Sequence, residues 1–356
     1  MEPRSDTALY RVLSLVAPGT PLRDGLHRVL QSGRGGLIII GDGPEVLNIC
    51  SGGFLLDAAF SPQRLSELAK MDGAIILAGD VSRIARANVH LVPNPNVPTS
   101  ETGTRHRTAE RAARSLNAPV ITVSESRKEI QVYFGDQSHQ LMSASRLLEG
   151  SNQAIQTLER YRARLNLMSR KLSALEVEDL VTLRHVVEVL QRAEMVVRIS
   201  TEIENNLIEL GSDGRLVRLQ LEELMVGVED DRRLLIIDYM RDDAQIDANG
   251  AMEALAELDD DALFDDELMA KTLQLLDRNG DLDEQREAKG FRLLSKLPRV
   301  NETHVMQVVQ HFGSLRKILR ASAAELEAVE GIGPGRAKAL KDGTVRLAGD
   351  SIIDQY

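Results

Sequence analysis

Every strand-like run in this 356-residue sequence lies before residue 146. GGLIII (35–40), EVLNIC (45–50), AIILAG (74–79), VITVS (120–124) and IQVYFG (130–135) are short apolar segments bounded by turn residues, as strands of a packed sheet are. SPQRLSELAKM (61–71) and RTAERAARSL (107–116) read as helices between them. Only ESRKE separates the last two strand-like runs, which predicts a hairpin. Residues 1–146 therefore read as an α/β domain with a mixed sheet.

Residues 147–289 read as an all-α spacer. Leu180, Leu183, Val187 and Leu190 are spaced 3-4-3, and Ile203, Leu207 and Leu210 are spaced 4-3, which makes apolar stripes on long helices. GSDG (211–214) interrupts two of them, and the acidic ELDDDALFDDE (257–267) reads as a solvated face. DRNGDLDEQREA (277–288) begins like a calcium loop but has Leu282 where the turn needs glycine and Ala288 where a bidentate glutamate is needed. It reads as a polar turn between helices. Residues 290–356 return to short helices with glycine-bearing turns and form a third, all-α module. No low-complexity linker separates the three parts.

Several function classes drop out. No apolar run is long enough to span a membrane, and the N-terminus lacks a signal-type core, so the expected location is cytoplasmic. The one cysteine, Cys50, cannot form an intrachain disulfide and reads as a small buried hydrophobe. Zinc spacing, G-x-S-x-G, H-E-x-x-H and the G-x-x-x-x-G-K-[ST] loop are all missing. The formal net charge is −11, yet Gln285–Arg346 carries 12 Lys and Arg against 6 Asp and Glu, a local +6 on a remainder of −17. A basic C-terminal module on an acidic chain points to a polyanionic partner.

TGTRHRTAERAARSL (102–116) sets three cationic or titratable side chains in a row. The preceding VPNPNVPTSETG is proline-rich and cannot be helix, so the helix starts near Thr104–Arg107. Ala109, Ala112, Ala113 and Leu116 fall at i, i+3, i+4 and i+7, an inward face. The N-terminal N–H groups lack intrahelical partners and the dipole there is positive, so cations at this end need an anion to offset them. Arg105, His106, Arg107, the hydroxyls of Thr104 and Thr108 and the amides after Gly103 would make a polyphosphate cradle. An exposed basic turn ranks second, because the dipole disfavours it.

Two further motifs carry chemistry. Asp72-Gly73-Ala74 directly precedes a strand-like run. A glycine there admits a ligand close to the backbone, and the aspartate could hold a divalent metal or orient a hydroxyl; a plain turn has the same sequence. VEGIGPGRAKALKDG (329–343) has the helix-hairpin-helix pattern, with Gly331, Gly333 and Gly335 in the turn and Arg336, Lys338 and Lys341 after it. Amides and cations there suit a nucleic-acid phosphate. A degenerate counterpart, LPRVNETHVMQVVQHFGSL (297–315), makes it a tandem pair.

DGAIIL followed some thirty residues on by GTRHRTAER resembles the diadenylate cyclase domain. With the helical spacer and GIGPGRAKAL, the whole chain resembles the bacterial DNA integrity scanning proteins. The resemblance implies condensation of two ATP into cyclic di-3′,5′-adenylate with release of two pyrophosphates, using Mg2+ or Mn2+. It implies a homo-octamer and sequence-independent binding of branched, Holliday-junction-like DNA through the tandem hairpins, in DNA-damage signalling. Carried onto this sequence, Asp72, Gly73 and Ala74 lie near ribose and metal, Leu91 flanks the nucleotide, and Gly103, Thr104, Arg105, His106, Arg107 and Thr108 hold phosphates. Asp72, Arg105, His106 and Arg107 are the expected catalytic residues, with Asp72 the metal ligand. A DNA-binding scaffold whose α/β domain only senses a nucleotide is the competing reading, and it has no use for a hydroxyl-orienting Asp72.

Overall fold

The computed structural model describes residues 7–116, 118–276 and 280–353. They fall into two compact units, one built from the chain up to Gln153 with Ile203–Leu219, the other from Ala154–Glu202 and the chain from Gln220 onward.

The first unit contains α1 (Thr7–Leu15), α2 (Pro21–Gln31), β1 (Gly36–Ile40), α3 (Pro44–Asn48), β2 (Cys50–Ser51), β3 (Phe54–Ala59) and α4 (Pro62–Leu68). It continues with β4 (Ala74–Leu77), β5 (Arg83–Leu91), α5 (Thr104–Leu116), β6 (Val120–Ser124), β7 (Glu129–Phe134) and β8 (Gln137–Leu141). The strands form one sheet in the order β2-β5-β4-β1-β6-β7-β8, with β3 also paired to β5. β1 and β4 run parallel, and the other pairs, the β6–β7 hairpin included, are antiparallel. The sheet is mixed, as the sequence predicts.

β1, β4 and β6 are buried along their whole length, which is why they read as unbroken apolar runs. Ile38, Ile40, Ile75 and Leu77 pack on one face with Leu22 and Leu26 of α2 and Leu65 of α4. Leu37, Ile39, Ala74 and Ile76 pack on the other with Ala109, Ala112 and Ala113 of α5. The small alanines let α5 lie close to the sheet.

EVLNIC is not a strand. Gly43 and Pro44 start a helix, α3, which buries Val46, and only Cys50–Ser51 pairs with β5. Proline at the first helical position is pre-set in φ and needs no partner for its missing N–H. β5 goes unread because Arg83, Arg86, Asn88 and His90 break its apolar pattern. The β4–β5 register shifts between Ala74 and Leu77, and Asn88 sits at φ 55°. Two glycines admit that kink: a Cβ on Gly73 would stand 2.7 Å from the Asn88 Cα, and one on Gly53 would stand 2.7 Å from the Ala87 carbonyl oxygen.

The long helices α6 (Ala144–Glu178) and α7 (Leu183–Leu210) are followed by a 3-10 turn at Gly211–Gly214, α8 (Arg215–Met225) and α9 (Val228–Tyr239). GSDG thus tightens the helical path and does not end it. Then come α10 (Ala248–Glu257), α11 (Asp260–Leu263), α12 (Asp266–Thr272), α13 (Phe291–Leu294), α14 (Glu302–Phe312), α15 (Leu315–Arg320), α16 (Ala323–Glu327) and α17 (Pro334–Ile353). Leu183, Val187 and Leu190 are fully buried, whereas Leu180 lies ahead of α7 and is exposed, outside the stripe the spacing predicts. Of the calcium-like stretch 277–288, residues 277–279 lie outside the described residues. No helix among the described residues is long and apolar enough to cross a membrane.

Because the Gly73 Cα faces backbone and not a movable side-chain end, Gly73→Ala should destabilise the first unit by about 1–3 kcal/mol, read as a lower urea midpoint with unchanged slope.

Candidate functional site

α5 begins at Thr104. Its first i→i−4 bond runs from the Arg107 N–H to the Gly103 carbonyl, 3.1 Å, and Gly103 turns the chain into it at φ 87°. The proline-rich segment ahead of it is folded back along the helix. The Arg111 Nε donates to the Val97 carbonyl at 2.9 Å, and the Arg114 guanidinium donates to that of Pro98. The buried Glu110 carboxylate accepts from the backbone N–H groups of Ser100 (3.1 Å) and Glu101 (3.3 Å) and from the Thr99 hydroxyl. Burial opposes its ionisation, but these donors and Arg114 outweigh that and hold its carboxyl below the usual carboxylate range.

The helix start so exposed borders a cavity of about 1870 Å³. Asp72, Gly73, Ala74, Leu91, Gly103, Thr104, Arg105, His106 and Thr108 all line it. Arg107 does not: it is exposed and outside the lining. Successive helical residues turn by about 100°, so positions 105 and 107 point some 200° apart. Gly73 borders the cavity, but the backbone of Asn88 fills the place its side chain would take.

Arg105 lies over Gly35, where an added Cβ would stand 2.7 Å from the guanidinium carbon. The sequence reading passes over Gly35, although the cluster SGRGG carries the signal. It also passes over the cavity-lining turn Glu125–Lys128 of the β6–β7 hairpin and over Ser51, Gly53 and Asn88. His106 is buried. Its Nδ1 is 2.9 Å from the Tyr133 hydroxyl and 3.2 Å from that of Thr122. Burial, with Arg127 and Arg105 adding to it against Glu101 and Glu129, lowers its pKa below the ordinary histidine value.

A metal ion would find two carboxylates bordering the cavity, the exposed Asp72 and Glu125 of the β6–β7 turn. No group of three or more His, Cys, Asp and Glu side chains among the described residues could hold an ion. That donor set fits Mg2+ or Mn2+ arriving with a triphosphate, which keeps phosphate oxygens and water as its other ligands.

In the second unit, Gly331 (φ 81°) opens the turn into α17, where a Cβ would be 2.8 Å from the Gln307 Oε1. Gly333 and Gly335 face open space at ordinary φ. The fold itself does not demand glycine at either position. Arg336 is exposed and donates to the Gly331 carbonyl at 3.2 Å, Lys338 is exposed, and the Lys341 ammonium donates to the Leu319 carbonyl at 3.2 Å.

Comparison with known proteins matches residues 23–138 to the family described as "DisA bacterial checkpoint controller nucleotide-binding". Residues 141–280 match "DisA bacterial checkpoint controller linker region" and residues 291–344 match "SAM-like Helix-hairpin-helix tandem". The chain is 48% identical over 357 residues to the DNA integrity scanning protein DisA of Parafrankia sp., covering 99% of each. It is 46% identical over 355 residues to that of Streptomyces coelicolor, covering 99% of this chain and 95% of the relative. The Kineococcus radiotolerans protein is 48% identical over 354 residues, covering 99% and 98%.

Gly35→Ala leaves the fold room but pushes the Arg105 guanidinium aside. It should weaken ATP binding about tenfold through the lost charged contact, while thermal melting stays close to that of the unsubstituted chain.

Proposed function

This chain is a diadenylate cyclase belonging to the bacterial DNA integrity scanning family, and from that premise we propose that it joins two ATP molecules into cyclic di-3′,5′-adenylate. Each ribose 3′-oxygen attacks the α-phosphorus of the facing ATP. A P–O bond forms, the bond to the bridging oxygen of pyrophosphate breaks, and the hydroxyl proton is lost. Performed twice, this closes the ring and releases two pyrophosphates. The carrying observation is that the open N-terminus of α5, with Arg105 beside it, borders the same cavity as Asp72.

In this reading the amides of Thr104 and Arg105, the Thr104 and Thr108 hydroxyls and the Arg105 guanidinium hold the triphosphate. Gly73, Ala74 and Leu91 border ribose and base. Asp72 orients the attacking hydroxyl and is the protein ligand for Mg2+ or Mn2+, which would neutralise phosphate charge. His106 stands in the first helical turn, and Arg107, off the wall, belongs to the approach of a second chain. Such a reaction depends on alignment and charge stabilisation more than on covalent help. The cavity exceeds the roughly 300–1,000 Å³ of pockets that enclose one ligand. Two copies facing each other would bring their nucleotides together, in a cytoplasmic homo-octamer.

Residues 1–146 are proposed as the cyclase domain, 147–289 as the spacer and 290–356 as the module that binds branched DNA without reading sequence. Gly331, Gly333, Gly335, Arg336, Lys338 and Lys341 would meet the phosphates, and the open space at Gly333 and Gly335 supports this.

Incubation with ATP and Mg2+ or Mn2+ should yield a product of cyclic di-adenylate mass. Asp72→Asn should abolish it while ATP affinity changes less than about threefold; near-normal turnover would remove Asp72 from its role. A nucleotide sensor would bind ATP and make no product.

For the DNA module, Gly335→Leu should weaken junction binding about tenfold or more without loss of stability, since leucine is the better helix former. Unsubstituted affinity should fall steeply with salt, and strong base preference would count against phosphate binding.

A further inference from the structure

The Glu101 side chain accepts a hydrogen bond from the Tyr133 hydroxyl at 2.8 Å, and the Tyr133 oxygen lies 2.9 Å from the Nδ1 of His106. These groups come from three separate places in the chain: the folded-back segment before α5, strand β7, and the first turn of α5. A carboxylate only accepts hydrogen bonds, so the single hydroxyl proton of Tyr133 is directed to Glu101. The Tyr133 oxygen then accepts from a His106 Nδ1–H, and the Thr122 hydroxyl oxygen, 3.2 Å from the same Nδ1, can share that proton. Gln131 donates to Glu101 at 3.4 Å, and Arg127 stands 3.6 Å from it, which keeps the carboxylate turned inward. Tyr133 is 1% exposed and packed in the sheet core, so the relay cannot easily rearrange.

We infer that Glu101 and Tyr133 are positioning residues that hold His106 as its Nδ1–H tautomer, so that the ring offers an unprotonated Nε2 to a ribose hydroxyl of the bound nucleotide. This rests on the cyclase reading and refines it, because a ring in that state repels phosphate and is not part of the phosphate cradle. His106 lines the cavity in the first turn of the helix that would hold the phosphates. The ribose is the part of ATP next to those phosphates and carries the O–H donors a lone pair can accept.

The charges facing His106 make the state testable. Arg105 of its own helix and Arg127 of the β6–β7 turn disfavour the imidazolium, while Glu101 before α5 and Glu129 of β7 favour it. Neutral His106 is the working form, so turnover should rise with pH through its apparent pKa. Glu101→Gln keeps an oxygen that accepts from Tyr133 but removes a charge that raises that pKa. The acid limb of kcat should therefore move to lower pH by on the order of one unit. Tyr133→Phe keeps the buried ring and removes the hydroxyl, and should lower kcat about tenfold with KM for ATP changed less than about threefold.

A pair that merely anchored the segment would lower activity evenly across pH and leave the limb in place, and that result would overturn the inference. The second readout needs no turnover. In the full-length chain with 15N-labelled histidine, the ring signals lost in His106→Gln should report a protonated Nδ1 and a free Nε2. A protonated Nε2 at neutral pH would overturn the assignment. If the unsubstituted chain made no cyclic dinucleotide, the cyclase reading would fail, yet these ring signals would still decide the tautomer.

Discussion

The first unit turns on the Glu110 carboxylate. By taking the N–H groups of Ser100 and Glu101 and the Thr99 hydroxyl, it ties a segment that cannot be helical back along α5. Hydrogen bonds to an ionised group contribute about 1.5–3 kcal/mol each when buried, enough to fix a loop with no regular structure of its own. Two results follow. Gly103 at the cap brings no side chain to the N-terminal amides of α5, and Glu101 is delivered to Tyr133. One anchor thus leaves the positive end of the helix dipole open and delivers the carboxylate that the Tyr133 hydroxyl meets.

Much of this was legible in the sequence, and the physical reasons are specific. Strands buried on both faces, such as Gly36–Ile40 and Val120–Ser124, are unbroken apolar runs. Proline excludes helix before Thr104, so the start of α5 could be read within a few residues. Arg105 borders the cavity and Arg107 does not, a difference that depends on what the rest of the fold places beside α5. Contiguity in sequence hid that. β5 was hidden because polar residues break its apolar pattern, two of which, Asn88 and His90, border the cavity. Gly73 was recognised as special, but it answers to the kink at Asn88, a tertiary contact that no local pattern records. Glu101 and Tyr133 are 32 residues apart, and only the folded segment brings them together.

The second unit rests on buried charge. Asp238 accepts the N–H groups of Gly290, Phe291 and Arg292 at 2.8, 2.6 and 2.9 Å, which caps the start of α13. The Arg292 guanidinium is buried against Glu176, which also accepts from the Tyr239 hydroxyl at 3.0 Å. Removing one partner of such a pair leaves an uncompensated charge, at a cost of about 3–5 kcal/mol. The network fixes where the hairpin module begins. Its own core, with Val305, Val308, Ile318, Leu326, Ile332 and Leu340, then sets the turn at Gly331–Gly335.

In the proposed reaction each chain would supply half of a reaction centre, one Asp72-Gly73-Ala74 and one α5 terminus holding one ATP. The most direct test mixes unsubstituted chain with Asp72→Asn chain during assembly and measures cyclic product against the unsubstituted fraction. If two copies must face each other, product falls with the square of that fraction, and linear dinucleotide accumulates from mixed pairs. A strictly proportional fall would mean that each chain completes both bonds alone, which would rule out paired half-sites.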